Sequence, residues 1–214
     1  MLKILNHNNS IANHFLYEMR HKVIQKDRAK FRNNMKKLGI VMGYEISMVL
    51  DYKKCTVNSP LGSAAVELLH EQPVIISILR AAIPFMEGFV EIFDQSDVGF
   101  IGAYREEDGE EIEIKLNYQA VPSIEGRNVI LVDPMLATGK SIVKSINNLV
   151  SNGLPHHIHI ATAVAAPEGI EHISRYIKCK HTIWTGALDK KLNSNAYIVP
   201  GLGDAGDLSY GPKL

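Results

Sequence analysis

Four short apolar runs, separated by stretches of helical character, constrain this chain more than any other feature. They are PVIISIL (73–79), VGFIGAY (98–104), RNVILVD (127–133) and HIHIATAVA (157–165). Each is too short for a helix, is bounded by turn residues, and lacks the polar alternation of a half-exposed strand. Such runs read as strands buried on both faces, the signature of a parallel sheet. Segments 84–93, 140–152 and 167–176 read as the intervening helices, and the region 181–185 as a further strand. Strands joined through helices make right-handed crossovers, so the expected fold class is α/β, a central mostly parallel sheet flanked by helices. EIEIKL (111–116) alternates strictly and predicts an exposed hairpin strand. In open sheets of this kind ligands sit beyond the carboxyl ends of the strands, so the chemistry is expected in the loops there.

The first sixty residues read as helical. Ser10 is placed to cap a segment with Ile11, Phe15, Leu16 and Met19 on one face. From about Asp27 to Leu50 the apolar positions Phe31, Met35, Leu38, Met42, Ile46 and Val49 recur every three or four residues. Arg28, Lys30, Arg32, Lys36 and Lys37 crowd the first half of that helix and read as a solvated face. At 214 residues with 46% hydrophobic content, one domain with a substantial core is expected. Lys+Arg and Asp+Glu both number 23, so the chain carries no basic footprint for nucleic acid and no polybasic membrane patch. No run approaches the ~18 apolar residues of a membrane span. The N-terminal sequence lacks the apolar block of a signal peptide, and Cys55 and Cys179 have no ligand or disulfide spacing. A cytoplasmic protein with reduced thiols is expected. The nine histidines show no HExxH-like spacing, so no protein-held metal site is expected from them.

The richest segment is VILVDPMLATGKS (129–141). A buried strand delivers Asp133 to the edge of the sheet, and the turn enters a helix whose first N–H groups lack intrahelical partners. Thr138 and Ser141 add hydroxyls, Gly139 permits close backbone approach, and the helix dipole favours an anion. This is a phosphate cradle on physical grounds; an ordinary strand–turn–helix with a capping threonine stays open beside it. The GKS at 139–141 imitates the end of a Walker A loop, but that motif needs glycine where this chain has Pro134, which offers no N–H.

With AAPEGI (165–170) and YIVPGLGDAGD (197–207) downstream, DPMLATG (133–139) resembles the fingerprint of the uracil phosphoribosyltransferases. ILRA (78–81) and AYRE (103–106) extend the resemblance more weakly. It implies a type I phosphoribosyltransferase fold in one domain, 1–214. Its parts would be a helical N-terminal arm over about 1–60, a hairpin hood over about 105–120 and a base-recognition tail over about 196–214. It also implies transfer of the phosphoribosyl group from 5-phospho-α-D-ribose 1-diphosphate (PRPP) to uracil N1, giving UMP and diphosphate. Mg²⁺ would be bound mainly through PRPP, and the chain would form a homo-oligomer, at least a dimer. Phe15, Phe31 and Met42 would serve either that interface or the core. The resemblance leaves GTP binding and allosteric control open.

By the same resemblance PRPP meets Arg80, Arg105, Asp133, Pro134, Met135, Leu136, Ala137, Thr138, Gly139, Lys140, Ser141 and Asp204. Uracil meets Ile198, Gly203, Asp204 and Ala205, and Asp204 and Arg105 carry catalytic roles. The residue chemistry agrees. Arginine offers a planar fork to phosphate oxygens, and a carboxylate such as Asp133 accepts from ribose hydroxyls. The tail is rich in Gly and Pro, so an irregular loop is expected, with backbone groups matching the acceptor–donor–acceptor edge of uracil. Cytosine would leave such groups unpaired, which gives discrimination. No strong general base stands near the tail, so positioning of N1 is expected to outweigh proton abstraction. The charged stretch 105–119 is expected to close over PRPP. Three departures qualify the resemblance. Lys140 stands where a small residue is usual, either contacting phosphate, pointing to solvent or obstructing the pocket. Ala82 and Pro84 stand where glycines are common, and the hood differs in sequence. Two alternatives stand beside this reading: a phosphoribosyltransferase for another base, and a degenerate relative that senses nucleotides or binds RNA.

Overall fold

The computed structural model describes residues 1–106 and 113–212, with the side chains of 103–106 and 113–117 outside that description. Its centre is an eight-stranded sheet in the order β1-β10-β9-β7-β4-β5-β6, with β8 paired to β9. These strands are β1 (Leu2–Ile4), β4 (Val74–Leu79), β5 (Val98–Glu106), β6 (Glu113–Ala120), β7 (Asn128–Val132), β8 (Met135–Leu136), β9 (His157–Ala165) and β10 (His181–Leu188). All pairings are parallel except β5 with β6. β4, β7 and β9 are buried almost throughout, as their continuous apolar runs require.

Side chains alternate between two cores along each strand. Ile75 and Ile130 face one, beneath α1 (Ala12–Arg20), α2 (Arg28–Ser47) and α3 (Ile83–Ile92). Val74, Ile76, Val129 and Leu131 face the other, beneath α4 (Lys140–Val150) and α5 (Pro167–Tyr176). Asp27 caps α2, its carboxylate accepting from the Lys30 N–H at 3.0 Å. Phe31, Met35, Leu38, Met42 and Ile46 are fully buried as the periodicity requires, so Phe31 and Met42 belong to the core, whereas Val49 is exposed beyond the helix end. Phe15 is partly buried against the same core.

The N-terminal sixty residues are not wholly helical. Leu2–Ile4 adds a parallel edge strand beside β10, and β2 (Tyr52–Ser59) pairs antiparallel with β3 (Gly62–Leu69) in a separate hairpin. Residues on both faces of that hairpin are exposed, so no burial pattern in the sequence announces it. The tail is also more ordered than its Gly and Pro content implies. β11 (Lys191–Leu192) pairs antiparallel with β12 (Ile198–Val199), and α6 (Ala205–Tyr210) follows, capped by Asp204. No helix among the described residues is long and apolar enough to cross a membrane.

Candidate active site

A cleft of about 500 Å³ opens at the carboxyl edge of the sheet. Three stretches of chain line it: Ile78–Ala81 at the end of β4, the segment from Asp133 to Ile142 after β7, and the tail residues Ala196–Ile198 and Gly203–Gly206. Parallel neighbours send the ends of β4 and β7 to the same edge, so segments distant in sequence meet there.

The second stretch is built by strand parity. β8 runs beside β9, and the Pro134 carbonyl accepts from the Ala163 and Val164 N–H groups at 3.0 and 3.1 Å. The Leu136 carbonyl accepts from Ala166 at 2.9 Å. Pro134 and Leu136 are thereby buried towards the sheet, while Met135 and Ala137 line the cleft. Asp133 lines it too, its Oδ1 accepting from the Met135 N–H at 3.1 Å.

At Gly139 the chain turns into α4 with φ +76°, a left-handed conformation that glycine adopts without penalty. A Cβ there would stand 2.8 Å from the Gly169 carbonyl oxygen. Beyond it, Ser141 and Ile142 present helix-start N–H groups with no intrahelical acceptor, beside the Thr138 and Ser141 hydroxyls. Lys140 is exposed and outside the cleft lining. Its charge, after the larger effect of burial, helps hold the His172 imidazole below its ordinary pKa. Lys140 is thus no part of the cleft wall.

Arg80 spans the cleft towards the tail. Its Nη2 lies 3.0 Å from Asp207 Oδ1 and donates to the Gly211 carbonyl at 2.7 Å, while its Nε is buried with no partner among the described residues. Asp204 is exposed at the rim, with Oδ1 accepting from the Asp207 N–H at 2.9 Å. Gly203, Asp204, Ala205 and Ile198, the four residues that the resemblance assigns to uracil, all line the cleft. Arg105 falls at the end of β5, and its side chain lies outside the described residues, as does the tip of the hood, 107–112.

Other residues in and around the site carry no role that the motifs assign. Ala81, Ala196, Tyr197 and Ile142 complete the lining. Arg32, read as part of a solvated face, donates to the Ser209 carbonyl at 2.7 Å and ties α2 to α6. Glu168, inside AAPEGI, accepts from the Leu192 N–H at 2.9 Å, and that hydrogen bond holds its carboxyl below the ordinary range. The second aspartate of GLGDAGD, Asp207, was the available signal for the partner of Arg80.

A family model of uracil phosphoribosyltransferases matches residues 6–212 of the chain. The chain belongs to the uracil phosphoribosyltransferase family. It is 42% identical over 206 residues to the uracil phosphoribosyltransferase of Porphyromonas gingivalis, covering 96% of this chain and 95% of that one. To that of Pyrococcus furiosus it is 38% identical over 202 residues, with 93% and 85% covered. A solved structure from Aquifex aeolicus superposes with a TM-score of 0.88 at 31% identity over 99% of this chain and 98% of the other. A hypoxanthine phosphoribosyltransferase from Staphylococcus aureus, at 16% identity, TM-score 0.51 and 75% and 76% coverage, shares the fold. The central, mostly parallel sheet flanked by helices is the one expected from the strand runs, and the phosphoribosyltransferase fold is the one the motif resemblance implied.

Proposed function

We propose that the cleft binds PRPP and uracil together and transfers the phosphoribosyl group to uracil N1, giving UMP and diphosphate. The observation that carries this reading is that the phosphate-type turn and the glycine-rich tail line one cavity. The 5′-phosphate would lie in the turn 137–141, meeting the Thr138 and Ser141 hydroxyls and the first N–H groups of α4, where the helix dipole favours an anion. Asp133 would accept from the ribose hydroxyls and so orient the sugar. Ile198, Gly203 and Ala205 would frame uracil, and Asp204 at the rim would stand between base and sugar.

Breaking the C1′–O bond builds negative charge on diphosphate and positive charge on the ring. Arg80 would meet the leaving group with donors already fixed by Asp207 and the Gly211 carbonyl, so little reorganisation accompanies charge development. Arg105 would be the second cation there. Among the described residues no three His, Cys, Asp or Glu side chains converge as a metal site, so a divalent ion would enter on PRPP oxygens. Two carboxylates of the cleft, Asp133 and Asp204, fit such a hard cation as outer partners. When bound, Mg²⁺ neutralises part of the diphosphate charge.

The test follows a panel of bases with PRPP and Mg²⁺, measuring nucleotide by chromatography. Uracil should yield UMP with stoichiometric diphosphate, and cytosine, hypoxanthine and orotate should yield none. Turnover of a purine instead, or binding of UMP without turnover of any base, would overturn the assignment.

A further inference from the structure

The tail is held from behind by a pair of charges that lie outside the cleft lining. Asp189 follows β10 and is buried, with 9% exposure. Its Oδ2 accepts from the Gly201 N–H at 3.0 Å. Arg20, the last residue of α1, grips the same carboxylate with both terminal nitrogens: Nη1 to Oδ2 at 3.1 Å and Nη2 to Oδ1 at 2.9 Å. Nη1 also reaches the Gly201 carbonyl at 3.4 Å. The Asp189 N–H is itself anchored to the Ala165 carbonyl at 2.8 Å, on the neighbouring strand of the sheet.

Those bonds fix a chain segment with little freedom of its own. Gly201 sits at φ +58°, where a Cβ would collide with the Ile198 backbone. Lys190 N–H bonds the Val199 carbonyl at 3.1 Å, so residues 190–199 form a closed loop whose exit is pinned at Gly201 by Asp189. Ile198, Gly203 and Asp204, on either side of that pin, line the large cleft. Arg20 and Asp189 do not; they line a smaller cavity of about 290 Å³ behind the loop, with Asn6, Asn13, Tyr17 and Ala187. A carboxylate accepting a backbone N–H makes a strong, charge-assisted bond, and the bidentate guanidinium fixes its direction.

We infer that Arg20 and Asp189 are positioning residues for base recognition, setting the affinity for the pyrimidine through the Gly201 amide while leaving the phosphate cradle untouched. This inference rests on the reading of the cleft given above. Binding sites lose affinity steeply when their supporting shell lets a contact group drift.

The experiment measures kcat and both KM values for Arg20→Leu, Asp189→Asn and the double variant. Arg20→Leu leaves a buried carboxylate without its cation, and Asp189→Asn turns an amide towards the guanidinium. Each single change should raise the uracil KM about tenfold, with the PRPP KM within about twofold of the parent. The double variant keeps an amide oxygen for the Gly201 N–H with no uncompensated charge, so its uracil KM should return towards the parent value. Amide hydrogen exchange should quicken at 198–203 in the single variants and stay unchanged at 137–141. Arg20→Lys, which keeps the charge but loses the fork, provides the same readout in smaller size should the leucine variant fail to fold. Unchanged uracil KM and unchanged exchange at 198–203, with only a lower melting temperature, would overturn the inference, as would parallel rises in both KM values. If the parent protein turned over no uracil, the reading of the cleft would fall, a result distinct from any of these.

Discussion

Replacing Gly169 by alanine should damage PRPP use from a position that touches no substrate. Gly169 lies in the first turn of α5, outside the cleft lining and without a left-handed backbone. Alanine there gains roughly 0.5–1 kcal/mol of helix propensity. Its Cβ, however, would overlap the Ala137 carbonyl oxygen and stand 2.8 Å from Leu136 Cδ1. Carbon atoms in contact prefer about 3.5–4.0 Å, so α5 and the turn must separate by roughly 0.7 Å or more. Overpacking of this kind costs about 1–3 kcal/mol, and the propensity gain offsets part of it. The net loss, about 0–2.5 kcal/mol, corresponds to at most roughly 10 °C in melting temperature for a chain of this size. The displaced atoms belong to the phosphate cradle, and a misplacement near 1 Å costs on the order of 100-fold in rate. Diphosphate release at saturating uracil should therefore show kcat/KM for PRPP falling at least about tenfold. The uracil KM should change less. A variant with PRPP kinetics within twofold of the parent would refute the claim that contact between Gly169 and Ala137 sets the cradle.

Three further outcomes are expected. Asp204→Asn keeps an oxygen for the Asp207 N–H and should leave the melting temperature close to the parent's, while lowering turnover with uracil. Asp204→Ala should add the loss of a helix cap, about 0.5–2 kcal/mol. Arg80→Lys keeps a charge but loses the fork, and should lower kcat/KM for PRPP on the order of tenfold to a hundredfold, checked by initial rates. Burial lowers the pKa of His159 to about 3, with Trp184 Nε1 donating to its Nδ1 at 3.2 Å, so the folded protein holds the ring neutral. The unfolded chain protonates it below its ordinary value of 6.5, so this contribution to stability is complete above that pH and is lost progressively as pH falls towards 3. At pH 5 the loss is at most roughly 2 kcal/mol. Denaturant titrations of the parent and His159→Gln should differ in slope against pH only below 6.5.

The parts of the fold that the sequence made legible are those buried on both faces. β4, β7 and β9 are runs of Val, Ile and Ala with no solvent side, and a run of that kind has few alternatives. The hairpin β2–β3 escaped because nearly every residue in it is exposed, so nothing in its pattern distinguishes strand from loop. The edge strand Leu2–Ile4 is too short to show a period. In the tail, Gly206 and Gly211 masked α6, although Asp204 as cap with Asp207 three residues on was a usable signal. Within the site, the motif 133–141 was plain, but a motif read as a continuous string hides parity. The pairing of β8 with β9 sends Pro134 and Leu136 inward and Met135 and Ala137 to the cleft. The supports behind the site, Arg20, Asp189 and Arg32, carry no local pattern, because the Arg20–Asp189 and Arg32–Ser209 contacts each span more than 160 positions.

The central claim is that one cavity holds the sugar phosphate in the turn after β7 and the pyrimidine in the tail. A crystal structure with PRPP, Mg²⁺ and a non-reacting uracil analogue tests it most directly. The account predicts the 5′-phosphate at Thr138–Ser141, the diphosphate at Arg80, and the base between Ile198 and Ala205 with its N1 facing C1′. Density for the analogue away from Ile198–Ala205, or for the 5′-phosphate away from α4, would contradict it.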